Sequence, residues 1–174
     1  MGKRAKFVEL LLAQEGVIEG PNNETIYGAA TGYQHQPWCG SLRVWAAKQV
    51  KYRIVNCVST VAGAAAYKKN GKWHDVATTD PATVQEGWAV FMGFDPKNPK
   101  AIQHVGTWIR YNGDGTAAIL EGNTSPDKKG SQANGGQVAL KVRAVSKKNG
   151  SKMRRSMPVF IIGYGQEDET GAPA

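Results

Sequence analysis

A cysteine at the start of a predicted helix is the first feature of this chain that could carry chemistry. Cys39 follows Pro37 and Trp38, and residues 41–51 then repeat apolar side chains at helical spacing. A thiol is a nucleophile only as the thiolate, and the positive end of a helix dipole favours that form. Proline suits the approach to a helix start. We therefore predict that Cys39 is a nucleophile, the alternative being a small buried hydrophobe.

A cysteine nucleophile needs a base within hydrogen-bond reach and a third group that orients the base. The sequence holds three histidines. His35 lies in the loop before Cys39, where it is poorly fixed, and His74 stands at a turn, where an exposed polar residue is the ordinary interpretation. His104 lies in the extended run 102–109, and a strand can hold a base rigidly. His104 is therefore the predicted base, against the alternative of a core histidine.

The hairpin after His104 determines which side chains face it. Residues 112–115, Asn-Gly-Asp-Gly, have the composition of a tight turn. A loop of two or four residues gives one register, in which Glu121 lies opposite Gly106. Asn123 then lies opposite His104, so Glu121 and Asn123 are the predicted orienting groups. A loop of three residues would instead turn Glu121 to the other face.

The elements that must position these residues fall into two halves. Helical patterns cover residues 3–15, the run after Cys39 and residues 53–67, in which Cys57 is a predicted buried residue. Residues 19–33 are rich in glycine and asparagine and predict an ordered loop. An extended pattern begins at residues 73–76, and five strands are then predicted: 88–94, 102–111, 116–121, 137–145 and 157–164. Helices followed by strands predict an α+β fold, with N-terminal helices packed on an antiparallel sheet.

Length and composition predict one domain. A chain of 174 residues can bury a core, and we place the domain at residues 1–164, with a flexible tail or the start of a linker at 165–174. Two cysteines suit neither a disulfide framework nor a metal site. No apolar run is long enough to span a membrane, and the N-terminus lacks a secretory signal, so we expect synthesis in a cytoplasm.

The formal net charge of +8 predicts attraction to polyanions. The basic loops at residues 128–129, 147–148, 152 and 154–155 lack interleaved aromatic residues, so no nucleic-acid partner is predicted. Asn22, Asn23 and Glu24 offer oxygen ligands, but calcium loops place acids at alternating positions, so structural calcium is not indicated and no cofactor is expected. A non-catalytic module that binds polyanions is the alternative from another functional class.

The order of these motifs resembles the CHAP family, papain-like amidohydrolases and peptidases that act on peptidoglycan. The matching pieces are Trp38-Cys39 at a helix start, residues 85–91 before the histidine, His104-Val105-Gly106 and Glu121-Gly122-Asn123. They span roughly residues 5–164 and look most similar to the lytic enzymes of bacteriophages. Departures at residues 87–88 and 40–42 concern the subfamily and the substrate. NlpC/P60 and transglutaminase-like enzymes share the Cys-then-His order but match the motifs less well.

The resemblance implies a papain-like fold and transfer of an acyl group to water at an amide of the wall peptide. Cys39 would attack as the thiolate, and His104 would hold it as an ion pair and later protonate the leaving amine. Glu121, or secondly Asn123, would orient the imidazole. The backbone N–H of Cys39 and a second donor would hold the oxyanion. The residues expected at the oxyanion or along the cleft are Gln36, Trp38 and Tyr33.

The resemblance also implies the partners and the place of action. Bacterial peptidoglycan and the anionic polymers of the cell wall are the expected partners, and the charge of +8 would concentrate the protein there. We expect a monomer that is made in the host cytoplasm and acts on the wall after release, with no membrane partner. Which amide bond is cleaved is left open at this point.

Overall fold

The computed structural model describes residues 2–127, 130–145 and 159–170 of the chain. The predicted basic loops at residues 128–129, 147–148, 152 and 154–155 lie outside these ranges, as does the start of the last predicted strand. The described helices are α1 Lys3–Leu12, α2 Ile26–Thr31, α3 Cys39–Gln49 and α4 Thr60–Lys69, with a 3-10 turn at Pro81–Thr83. The described strands are β1 Trp73–Asp75, β2 Ala89–Gly93, β3 His104–Tyr111, β4 Thr116–Thr124, β5 Gln137–Ala144 and β6 Phe160–Gly165.

These strands form one antiparallel sheet in the order β1-β6-β2-β3-β4-β5. Helix α3 packs against β3 and β4, and α1 and α2 pack against α3. The predicted α+β fold, with N-terminal helices on an antiparallel sheet, is confirmed. No described helix has the length and apolarity needed to cross a membrane. The arrangement brings the start of α3, where Cys39 lies, against the strands that carry His104 and Glu121.

Apolar side chains are buried on both faces of the central strands. On the helix face, Leu120 packs with Leu42 of α3. On the other face, Ile119 packs in a cluster with Trp108 and Tyr164, whose rings meet edge to face at 5.5 Å. Because a shift of one residue would exchange the two faces of β4, burial on both sides fixes its register strongly.

The hairpin between β3 and β4 reaches the predicted register by an unpredicted route. Asn112 N–H donates to the Thr116 carbonyl at 2.9 Å, so the loop has three residues, and the prediction of two or four is wrong. Two of the three are Gly113 and Gly115, both at positive φ. A β-bulge between Trp108 and Arg110 then moves the pairing by one residue. The bulge cancels the shift caused by the loop.

The predicted pairing at the functional end of this hairpin is therefore confirmed: Glu121 lies opposite Gly106. A side chain at position 106 would meet the neighbouring strand β4, because a Cβ there would lie 2.7 Å from Ile119 Cγ2 and 3.1 Å from Glu121 Cγ. Glycine at this position gives the carboxylate the room that the sequence argument assigned to it.

Helix boundaries differ from the predictions, and at α2 and α4 the reason is a short polar side chain that caps the backbone. Helix α1 ends at Leu12 rather than at residue 15. Helix α2 lies inside the predicted loop 19–33, because the Thr25 hydroxyl accepts a hydrogen bond from Gly28 N–H at 2.9 Å and starts a helix there. Thr25 is the sequence signal for α2 that the composition of the loop concealed.

Helix α4 begins at Thr60 rather than at residue 53. The Asn56 side chain accepts from Val58 N–H at 3.0 Å, and Ser59 caps the helix by accepting from Ala62 N–H at 3.3 Å. The first bond stabilises a turn before the helix, and the second starts the helix at Thr60. Cys57 therefore lies before the helix, and it is buried as predicted.

The chain beyond β6 is docked, which contradicts the predicted flexible tail from residue 165. Gly165 belongs to β6, and Gln166 N–H donates to the Lys72 carbonyl at 2.9 Å. Glu167 is only 5% exposed because its carboxylate pairs with buried Arg43 at 3.0 Å. Residues 171–174 lie outside the described part of the chain.

Candidate active site

Cys39 is the first residue of α3, at the end of the helix where backbone N–H groups have no intrahelical partner. No side chain caps this end, because the N-cap residue is Trp38. Cys39 is 4% exposed, and a Cβ on the next residue, Gly40, would lie 1.8 Å from the Cys57 carbonyl oxygen. The segment around Cys57 thus crosses directly over the start of α3 and holds the thiol in place.

His104, the first residue of β3, is completely buried beside the thiol. Its Nε2 lies 3.3 Å from Glu121 Oε2, and its ring meets Phe94 edge-on at 5.6 Å. Neither ring nitrogen makes a well-aligned hydrogen bond within the described residues. Contacts between catalytic groups are often long in enzymes before a substrate tightens them.

Glu121 is held by a residue that the sequence argument missed. Arg143 of β5 donates from Nε to Glu121 Oε1 and from Nη2 to Oε2, both at 2.7 Å, and both side chains are buried. Arg143 pairs with Ala117, so its side chain shares the face of β4 that carries Glu121. The available signal was an arginine within the apolar pattern of a predicted strand. This signal could be used only once the register of β4 and β5 was known.

The pKa values of these groups follow from their mutual charges. Burial opposes the thiolate, but the charge of His104 and contact with its ring lower the pKa of Cys39 below its ordinary value. Burial also opposes the imidazolium, yet Cys39 and Glu121 raise the pKa of His104 to about 9. Burial would raise the pKa of Glu121, but Arg143 and His104 bring it to about 2.

These shifts favour four alternating charges in the site: thiolate, imidazolium, carboxylate and guanidinium. Cys39 and His104 share one proton and titrate as a pair. Backbone hydrogen bonds from Val105 and Gly40 give the sulfur further support. The arrangement can supply an ionised nucleophile together with an acid beside it.

Asn123 does not orient His104, which corrects the second predicted partner. Its backbone adopts φ 54°, and its side chain donates to Asn134 Oδ1 at 2.8 Å and accepts from Gly136 N–H at 3.2 Å. The pairing of β4 with β5 shifts between Glu121 and Thr124 at this point. The irregular backbone turns the amide toward the loop before β5, so Asn123 holds that loop in place.

The predicted cleft residues fall into two groups. Trp38 is completely buried, with Nε1 donating to Glu19 Oε2 at 2.6 Å and its ring 5.3 Å from that of Tyr27, so it is a core residue and does not line an open cleft. Gln36 is exposed, and Tyr33 is 55% exposed. Gln36 as oxyanion donor and Tyr33 as cleft wall therefore stay predictions.

A second buried arginine ties α3, which begins at Cys39, to β3, which begins at His104. Arg43 lies one turn after Cys39 and is 1% exposed. Its Nη1 donates to Thr107 Oγ1 at 2.6 Å and to the Gly106 carbonyl at 3.3 Å. Its Nη2 donates to the Gly87 carbonyl at 3.3 Å. Sequence reasoning missed Arg43, although a cation one turn from Cys39 on a mainly apolar helix face was visible.

The other histidines lie in separate contacts. His35 Nδ1 is 3.0 Å from the Asn22 carbonyl oxygen, and His74 stacks on Trp88 with its Nε2 2.9 Å from Gln166 Oε1. In the described ranges, no group of three or more His, Cys, Asp or Glu side chains could hold a metal ion.

Comparison with known proteins found no match. No protein-family model matches the chain, and neither a curated protein nor a solved structure does. What the site can do therefore follows from its own geometry, which is that of a cysteine nucleophile with a paired acid and base.

Proposed function

We propose that the chain is a peptidoglycan hydrolase, a lysin of the bacteriophage type, which cleaves an amide bond of the bacterial wall peptide. The single observation that carries the proposal is the buried set Cys39, His104, Glu121 and Arg143, whose charges favour the thiolate–imidazolium pair at neutral pH. This geometry supports acyl transfer. The choice of the wall peptide as substrate, and of a papain-like enzyme as the type, is supported by the resemblance of the motifs to the CHAP family.

In the first half of the reaction, the Cys39 thiolate attacks the carbonyl carbon of the amide and forms a C–S bond. The oxyanion that results accepts hydrogen bonds from the backbone N–H of Cys39 and from Gln36. His104 gives its proton to the amide nitrogen, the C–N bond breaks, and the amine leaves. Glu121 holds the imidazole through Nε2 while this proton moves.

In the second half, His104, now neutral, takes a proton from water as the oxygen attacks the acyl carbon. The C–S bond breaks, the carboxylic acid leaves, and the thiolate–imidazolium pair is restored. The sum is hydrolysis of one amide to an acid and an amine, with no cofactor in any step. The reaction would take place at the cell wall after release of a monomeric protein from the host.

The test is digestion of purified peptidoglycan, followed by mass analysis of the soluble products. The wild-type protein should create new amine termini, and their identity names the bond that is cleaved. Cys39→Ala should create none, whereas Cys57→Ala, which removes the other thiol, should keep the product pattern. Equal product from Cys39→Ala would exclude the mechanism. An inactive wild type would leave the rival, a non-catalytic polyanion-binding module, as the better account.

A further inference from the structure

Almost all of the net charge of this chain comes from one continuous stretch. Residues 25–74 contain seven lysines and arginines and no aspartate or glutamate. The other 124 residues contain 15 basic and 14 acidic side chains. A solvated surface with mixed charges would not separate the signs in this way, so the location of these cations in the fold is informative.

The fold gathers six of the seven cations where α3 and α4 end. These six are exposed or partly exposed, and they are Lys48, Lys51, Arg53, Lys68, Lys69 and Lys72. A groove of about 540 Å³ runs between the two helix ends, the segment 52–56 and the segment 166–168, and three of the cations line it: Lys48, Arg53 and Lys72. The seventh, Arg43, is buried beneath.

The acids of the groove cancel only part of this charge. Glu167 is paired with Arg43, and Asp168 is paired with Lys72. Lys48 donates to the Ala30 carbonyl at 3.0 Å and pairs with no acid in the described part of the chain, so its positive charge is uncompensated there. The C-terminal ends of the two helices contribute roughly half a negative charge each. These partial charges cannot offset the four further exposed cations, which are Lys51, Arg53, Lys68 and Lys69. The groove is therefore electropositive.

The chemistry of the walls selects among polyanions. Among the described residues, Tyr52 is the single aromatic residue lining the groove. It is 3% exposed, and its hydroxyl donates to the Asp168 carbonyl at 2.5 Å. Nearby Trp73 is covered by the Lys68 ammonium at 4.7 Å. Nucleic-acid grooves add aromatic faces on which bases stack, and this groove has none to offer. Its apolar walls and its amide groups at Asn56 and Asn70 suit a chain of polyol units.

We infer that this groove binds a linear, phosphate-bearing polyol polymer of the cell wall. The choice of a wall polymer as the occupant rests on the proposed function. Helix α3 carries Cys39 at one end and lines the groove with Lys48 near the other, about 13.5 Å away at 1.5 Å per residue. A polymer in the groove would keep the nucleophile beside the wall without entering the site itself.

The test measures binding of lipid-free poly(glycerol phosphate) to the full chain at 50 and 200 mM salt. Arg53→Gln combined with Lys69→Gln removes one exposed cation that lines the groove and a second at the end of α4, next to the lining residue Asn70. The double variant should weaken binding at the lower salt about tenfold. The matched control, Lys97→Gln combined with Arg110→Gln, removes two exposed cations elsewhere and should weaken binding less than twofold. The wild type should bind a single-stranded DNA of equal charge more weakly than the polymer.

Each other result counts against the inference. Equal losses in the two double variants would mean attraction by net charge without a site. Tighter binding of the DNA, with the same dependence on Arg53 and Lys69, would assign the groove to nucleic acid. Hydrolysis of a soluble wall fragment should be unchanged in both double variants, and Cys39→Ala should bind the polymer normally. Failure of hydrolysis in the wild type would therefore overturn the proposed function. The binding measurements would still decide whether the groove binds the polymer.

Discussion

At the scale of single residues, the charge on Glu121 depends on Arg143. A carboxyl group with no exposure to water tends to become neutral, and a neutral acid would not support an imidazolium. The two parallel bonds from Arg143 keep Glu121 ionised and fix the direction of its oxygens toward His104 Nε2. Arg143 is therefore a positioning residue that acts on the chemistry through Glu121.

Arg143→Met should lower the rate at which iodoacetamide alkylates Cys39 at pH 6 by about tenfold, because loss of the guanidinium raises the pKa of Glu121 and weakens its support of the imidazolium. It should also destabilise the fold by about 3 kcal/mol. Lys141→Met is the control, since Lys141 lies on the same strand but donates to the Ser125 and Pro126 carbonyls. Equal effects of the two variants on thiol reactivity would show that Arg143 is merely structural.

The rate of hydrolysis should follow a bell-shaped pH profile, and the rate should fall on the alkaline side near pH 9. Above that value His104, with its pKa at about 9, loses the proton that the leaving amine needs. On the acid side activity should persist below the ordinary thiol pKa, because the pKa of Cys39 is lowered. Mass spectrometry after alkylation at pH 7 should find one label on Cys39, since burial raises the pKa of Cys57 to about 12. A label on Cys57, or a limb near pH 6.5, would contradict the ion pair.

At the scale of elements, the start of α3 is set by the close crossing of the segment that contains Cys57. The crossing is possible only because position 40 has no side chain. Gly63 of α4 lies under the same segment, 3.1 Å from Cys57 Cα for an ideal Cβ, which a small movement would relieve. Both glycines therefore lie against the segment that contains Cys57, but position 63 tolerates a side chain better than position 40.

Gly40→Ala should destabilise the protein by about 3 kcal/mol and abolish hydrolysis, because the new methyl group must push α3 or its neighbour away and so move Cys39. Gly63→Ala should cost less than about 1 kcal/mol, since better helix propensity partly offsets its milder contact. Chemical denaturation and peptidoglycan digestion measure the two effects. Similar losses in both variants would mean that the crossing at position 40 does not position the thiol.

At the scale of the whole molecule, the segment 166–169 joins three parts of the N-terminal half to the sheet. Glu167 contacts Arg43 and the Tyr67 hydroxyl, Asp168 contacts Lys72, and Glu169 contacts Arg4. The loss of this segment should matter most for Arg43, which would lose its carboxylate partner. Arg43 is buried between α3, which begins at Cys39, and β3, which begins at His104.

A chain that ends at residue 165 should lose about 3 to 5 kcal/mol of stability, because Arg43 is left as a buried charge without its carboxylate. For a protein of this size the melting temperature should fall by about 10 °C. A chain that ends at residue 170 keeps every one of these contacts and should melt with the wild type. Equal melting of both shortened chains would contradict the role of the segment.

The sequence by itself determined the α+β class and the helix that begins at Cys39, because local periodicity carries that information. The pairing of Glu121 with Gly106 was predicted correctly, but from a wrong loop length. Only the tertiary structure decided that a bulge near residue 109 compensates for a three-residue loop, and that Arg143 rather than Asn123 completes the site. Both depend on how the strands pair across the sheet, which no local pattern encodes. The same holds for Arg43 and Glu167, since their charges become compatible with burial only when the folded chain brings them together.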